Sequence, residues 1–196
     1  MGKLVINKNQ KSYIMKTLNF NFYKPVLAIL LLMFTCSLAA QTAEQQEVID
    51  DAALAKAAFT KNNPNMAELF ANAEGYAIFP NVGKGAYIVG GAAGNGAVYE
   101  KGKLVGMAEL KQIDIGLQIG GQAFRQVIFF QTQTELERFK QGNFELSGTA
   151  SAVVLEEGKA KSIEFRDGIA IATMPKAGAM IEISVGGQKF EYESLE

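Results

Sequence analysis

Between residues 42 and 61 apolar side chains recur at helical spacing, at Val48, Ala52, Ala55 and Phe59, which predicts an amphipathic helix. Thr42 followed three residues later by Gln45 has the form of a capping box and would open it. Asn62-Asn63-Pro64 breaks the pattern, and Asn65 then reads as the N-cap of a second, short helix. Met66, Leu69, Phe70 and Ala73 lie on one side of that helix, with Glu68 in its first turn.

From Gly75 onward the pattern changes to short β-rich runs punctuated by glycine. Tyr76 to Phe79, Ala86 to Val89, Ala97 to Glu100 and Leu104 to Leu110 are predicted strands, and Lys101-Gly102-Lys103 turns between the last two. Pro80 is expected to end the first strand, and the cluster from Gly90 to Gly96 to connect strands. Ile113 to Ile119 alternates strictly, and Phe124 to Phe130 reads as a more fully buried run. Thr132 and Glu135 repeat the capping-box form before a short helix carrying Leu136 and Phe139, which Gly142 closes. The runs 144–155, 162–165, 169–174, 180–185 and 189–192 complete the series. Many short strands with few crossover helices predict an α+β, β-dominant fold. N-terminal helices would pack on a curved, mainly antiparallel, Gly-rich sheet, barrel-like or a sandwich, with one further short helix.

The beginning of the chain is of another kind. Lys16 and Lys24, the apolar run Val26 to Phe34, and the small residues around Ala39-Ala40 have the order of a cleaved secretion signal, with Met15 as the expected true start. The apolar run is short for a membrane span. Thr35 before Cys36 argues against a lipidated cysteine, where a small residue is usual. The expected organisation is therefore residues 1–40 as extension and signal and 41–196 as one domain. The expected destination is periplasmic or secreted, with peripheral attachment to the outer membrane as one form of it.

Composition narrows the chemistry. The chain has no His and no Trp, and its single cysteine is Cys36. A His-dependent triad, a His-ligated metal, a zinc cluster and a disulfide framework are thereby excluded, and no cofactor is expected. Removing Lys3, Lys8, Lys11, Lys16 and Lys24 from the 19 basic residues leaves 14 against 20 acidic ones, a net charge of −6. That balance opposes nucleic-acid binding, where neutralisation of phosphate dominates affinity. No glycine motif has the Lys-Ser/Thr ending of a phosphate loop, and neither the serines nor the paired acids come with an activating partner, so no enzymatic activity is expected.

One ordered series is more specific. Ala77-Ile-Phe-Pro-Asn-Val-Gly-Lys-Gly-Ala-Tyr-Ile-Val-Gly-Gly91, followed by Gly94-Asn-Gly96, resembles the opening of the SYLF domain, also called the Ysc84-type or DUF500-like domain. Phe79, Pro80, Val82, Gly85, Gly90, Gly91, Gly94 and Gly96 carry the resemblance. Gly116 to Gln122 and Val127 to Phe130 are similar to later segments of the same family, so the likeness extends over about residues 45–190. It implies lipid binding, since eukaryotic members associate with phosphoinositide membranes and some bind actin. Here the first helix sets Glu44, Glu47, Asp50 and Asp51 beside only Lys56 and Lys61, and an exported protein would not meet actin. Lys84, in the family motif, is the first candidate for a lipid headgroup, with Lys56, Lys61 and Phe59 on the first helix as further lipid contacts. The alternative is an envelope protein that holds a protein partner through a sheet edge or a Gly-rich surface.

Overall fold

The computed structural model describes residues 23–84, 91–113, 123–146, 152–155, 161–176 and 185–195, with side chains from Ala43 onward except those of Lys84 and Ile113. The chain divides into two compact units, Met1–Ala43 and Glu44–Glu196. In chain order the elements are α1 (Tyr23–Asn62), α2 (Asn65–Asn72), β1 (Gly75–Lys84), β2 (Gly91–Glu100), β3 (Lys103–Ile113), β4 (Ala123–Phe130), α3 (Gln133–Lys140), β5 (Phe144–Glu145), β6 (Val153–Val154), β7 (Ile169–Pro175) and β8 (Gln188–Ser194). The strands form one sheet in the order β5-β8-β3-β2-β1-β4-β7-β6, antiparallel throughout except for the β6–β7 pair. The β-dominant α+β expectation holds, and the sheet resolves the barrel-or-sandwich alternative as a strongly curled half-barrel.

Distances across the concave side measure the curl. Strands β8 and β4 are four ladder steps apart, about 19 Å if the sheet were flat. Yet Gln188 on β8 and Gln126 on β4 exchange side-chain hydrogen bonds at 2.7 and 3.1 Å. The rings of Phe144 on edge strand β5 and Phe130 on β4 lie 6.4 Å apart, and those of Phe79 on β1 and Phe190 on β8 lie 5.5 Å apart. Strand β2, between these walls, turns Ala92, Gly94, Gly96 and Val98 inward. A Cβ on Gly96 would come within 2.6 Å of both the Ile78 carbonyl and the Phe79 ring, so that ring occupies the space a side chain on β2 would have needed.

Strand β1 supplies both faces. Its pairing with β2 passes from Ile78↔Ala97 to Gly83↔Ala93, and its pairing with β4 from Phe79↔Gln126 to Val82↔Phe124. Both neighbours therefore see one extra residue, a bulge at Pro80-Asn81. Proline has no N–H to give the ladder, and the bulge removes that demand, so Pro80 does not end the strand as expected. The bulge also brings Val82 back to the side that Phe79 occupies, and both join the concave core. Likewise Gly91 to Gly96 do not connect strands but lie within β2, because their small size is what the inner face requires.

The convex face is covered by helices. Ala52, Ala55 and Phe59 of α1 and Met66 and Phe70 of α2 pack with Tyr76, Ile78, Val127, Phe129, Ala172 and Met174. Ile163 and Phe165 pack against the same cluster from an extended segment, where a strand was expected. Helix α1 runs through Thr42 and so does not begin there as expected. At α2 the N-cap is Pro64, with no side-chain cap. Asn63 performs the expected role of Asn65: its Oδ1 accepts from the Asn65 N–H and its Nδ2 donates to the Lys161 carbonyl. The α3 cap is as expected, the Thr132 hydroxyl accepting from the Glu135 N–H at 3.4 Å. Helix α3 then sets Leu136 and Phe139 against the concave core. Lys101 (φ 48) and Gly102 (φ 78) form the two-residue hairpin turn between β2 and β3. The expected strands 86–89 and 180–184, and the alternating run beyond Ile113, lie outside the described residues.

Filling the inner face of β2 should be costly where Phe79 lies over it. Gly96→Val is expected to destabilise by about 3 kcal/mol, the upper part of the overpacking range. Gly83→Ala, whose Cβ would meet nothing within 4 Å, should stay within about 0.5 kcal/mol of the parent. Urea unfolding of the two variants checks the contrast.

Candidate functional site

At the C-terminal end of β1 three strands bring basic residues together. Gly83 pairs with Ala123, Arg125 of β4 pairs with Met174 of β7, and the Lys176 N–H donates to the Ala123 carbonyl at 2.9 Å. Arg125 and Lys176 thus stand beside the strand end that carries Lys84. The bulge presents Asn81 to the same corner: its Oδ1 accepts from the Lys176 amine, and its Nδ2 donates to Asp51 of α1 at 2.5 Å. Partial burial, then the neighbouring Arg125 guanidinium, holds the Lys176 amine below the usual lysine range, with Asp51 opposing. The arrangement keeps two cations adjacent, with Lys176 hydrogen-bonded to an amide, which is what an anionic group approaching from outside would meet.

Beside this corner runs a groove of about 400 Å³ between α1, the bulge and β2–β3, edged by Glu44, Glu47, Asp51 and Glu109 and floored by Val48, Pro80 and Gly94. Its sign is opposite to that of the corner, and Asn81 lies between the two. Among the described residues no group of acidic or other ligating side chains is arranged to hold a metal ion.

The other residues expected to contact lipid have different surroundings. Phe59 is fully buried against the convex face, so it is core and not surface. Lys56 is half-buried: its amine donates to the Tyr76 hydroxyl at 2.9 Å and lies 4.9 Å from the ring centres of both Phe70 and Tyr76. Lys61 is exposed in the last turn of α1. The backbone of Lys84 closes β1 opposite Ala92; its side chain, Gly85 and Gly90 lie outside the described residues. Of the other motif residues, Phe79 and Val82 are core, Pro80 makes the bulge, Gly91 begins β2, and Gly94 and Gly96 face inward. In the Gly-rich stretch of β2, Gly91, Ala92 and Gly96 are buried, while Ala93, Gly94 and Asn95 line the acidic groove. Among the described residues Leu54 on α1 is the large apolar side chain most open to solvent, at 68%. It lies three residues, about one turn, beyond Asp51. Spacing did not single out Arg125, Lys176 or Leu54. The available signal was Arg125, the one charged residue in the strand run Ala123–Phe130.

Two outcomes follow. Lys56→Met should cost about 1–2 kcal/mol in thermal or urea unfolding, through loss of the Tyr76 bond and the ring contacts. The Lys176 amine should titrate below the usual lysine range when followed by NMR. Because its folded-state pKa lies below the unfolded one, its contribution makes stability rise with pH between the two values, and Lys176→Gln should flatten that rise.

A search of curated proteins finds no match. A family model described as Ysc84, Las17-binding protein actin regulator, matches residues 111–194. The match begins within β3 and ends with β8, so it contains Arg125 and Lys176 but not the 77–96 series in β1 and β2. The likeness to the Ysc84 (SYLF) family found in this way covers residues 111–194, from the end of β3 through β8.

Proposed function

We propose that this is a non-enzymatic, exported protein that binds a lipid or membrane surface through the corner formed by the end of β1, Arg125 and Lys176. The observation that carries this reading is the pairing of Arg125 with a partly desolvated Lys176 beside the strand end of Lys84. Leu54, one turn from the Asp51 that reaches this corner through Asn81, supplies an apolar side chain for shallow insertion. The concave side is filled by the rings of Phe79, Phe130, Phe139, Phe144 and Phe190 in mutual contact. This favours binding at the surface over uptake of a chain into the sheet. Among the described residues no helix is long and apolar enough to cross a membrane. Export rests on the order of charged, apolar and small residues in 15–40, and it would keep the protein from actin, which the matched family's description concerns.

A protein partner is the second reading, and the acidic groove favours it by offering a basic segment a complementary surface. Strand addition is disfavoured at the open end of β8, where Glu191 and Glu193 are exposed.

Flotation of the compact unit Glu44–Glu196 with neutral and anionic vesicles, at low and high salt, tests the proposal. Binding to anionic vesicles is expected at low salt. The combined change Lys84→Gln, Arg125→Gln, Lys176→Gln should weaken it by up to about a hundredfold, at about 1 kcal/mol per cation near an anionic surface. Leu54→Glu should remove the part that survives salt. No binding to either kind of vesicle would overturn the reading and turn attention to the acidic groove.

A further inference from the structure

Inside the half-barrel, away from the basic corner, a polar layer crosses an otherwise apolar core. Gln112 of β3, Gln126 of β4 and Gln188 of β8 are all buried, as is Thr173 of β7. Gln126 Nε2 donates to Gln188 Oε1 at 2.7 Å, Gln188 Nε2 returns a bond to Gln126 Oε1 at 3.1 Å, and the same nitrogen donates to Gln112 Oε1 at 3.0 Å. The Gln188 amide has thereby used both its hydrogens, while Gln126 has used one of two. Thr173 is the direct cross-strand partner of Gln126. It shares the inner face with Ile171, since Ala172 and Met174 pack on the convex side. Its hydroxyl is fully buried and has no hydrogen-bond partner among the described residues.

A buried hydroxyl left unpaired is costly, and native interiors seldom keep one. Cross-strand Cβ atoms are about 5 Å apart. That separation is close to two hydrogen-bond lengths of about 2.8 Å, the span that one bridging oxygen covers. The unspent capacity of the layer is the Thr173 hydroxyl, one Gln126 N–H and a lone pair on Gln188 Oε1. Those are complementary to a single hydroxyl, which both donates and accepts; among the described residues no charged side chain is buried in the layer to favour a cation or an anion instead. Two to four such partners are also what a buried water commonly has.

We propose that Thr173 and Gln126 form a binding site for one neutral hydroxyl group, supplied by an internal water or by the hydroxyl of a small alcohol. Bound there, the hydroxyl completes the hydrogen bonding that joins β7 and β4 to β8 across the open side of the sheet. The site is separate from the surface proposed for lipid, and either can fail without the other.

The test uses the full chain and two variants. Thr173→Val keeps the shape and removes the hydroxyl; Thr173→Ser keeps the hydroxyl. If the site is occupied, Thr173→Val should lower Tm by about 2–4 °C, with Thr173→Ser closer to the parent. NMR then separates the two sources. A long-lived cross-relaxation peak from water to the Gln126 side-chain amide, absent in Thr173→Val, identifies water. A saturable shift of the Gln126 and Gln188 amides on adding 1-butanol, also absent in Thr173→Val, identifies an alcohol. A lowered Tm together with either signal supports the proposal. A raised Tm for Thr173→Val, as expected when an unpaired hydroxyl is replaced by a methyl, overturns it, and so does the absence of both signals.

Discussion

The half-barrel depends on close approach across β2. A sheet can curl until its fourth neighbours touch only if the strand at the middle of the bend has almost nothing on its inner side, and here that side is Ala92, Gly94, Gly96 and Val98. Phe79 uses the vacated space, and from it a chain of ring contacts runs through Phe190 and Phe139 to Phe130. The carboxamides of Gln126 and Gln188 meet because the same curl has already brought their strands together. In the apolar interior their paired bonds restrict which residues of β4 and β8 face one another more narrowly than ring packing does.

The two faces of the sheet do different work. The concave face is closed on itself by aromatic rings and α3. The convex face is covered by α1 and α2 through small side chains, Ala52 and Ala55, which let α1 lie close to the sheet, and through Phe59 and Phe70. This leaves the charged edge of α1 beside the end of β1, where acidic and basic groups meet with Asn81 between them. The bulge at Pro80-Asn81 is what carries Asn81 to that position.

Some features that depend on a few neighbouring residues were legible in the sequence, although the helix starts expected at Thr42 and Asn65 were not met. The Thr132 cap and the Lys101-Gly102 turn are fixed by local dihedrals and one or two hydrogen bonds, and both stand where the residue types place them. The errors came where one residue type serves two purposes. Glycine marks a loop and equally an inward-facing strand position under a ring, which is why Gly91 to Gly96 were expected outside the strands. Proline ends a strand or sits in its bulge, and Pro80 does the second. Periodicity identified Phe59 as belonging to the apolar stripe of α1 but could not say whether sheet or membrane covers that stripe. Arg125 and Lys176 are 51 positions apart, so only the β4–β7 register unites them.

The docking of α1 and α2 on the sheet also has an optical consequence. The chain has no tryptophan, so tyrosine dominates its near-ultraviolet spectrum. Tyr76 is buried with its hydroxyl bonded to Lys56 of α1, its ring edge-on to Phe70 of α2, and its face stacked on Tyr99 at 4.9 Å between ring centres. Burial, and after it the nearby Tyr76, raises the pKa of the Tyr99 phenol. The protein thus contains its own chromophore at the junction of two helices and the sheet, and separation of either helix can be followed by tyrosine circular dichroism without an attached label.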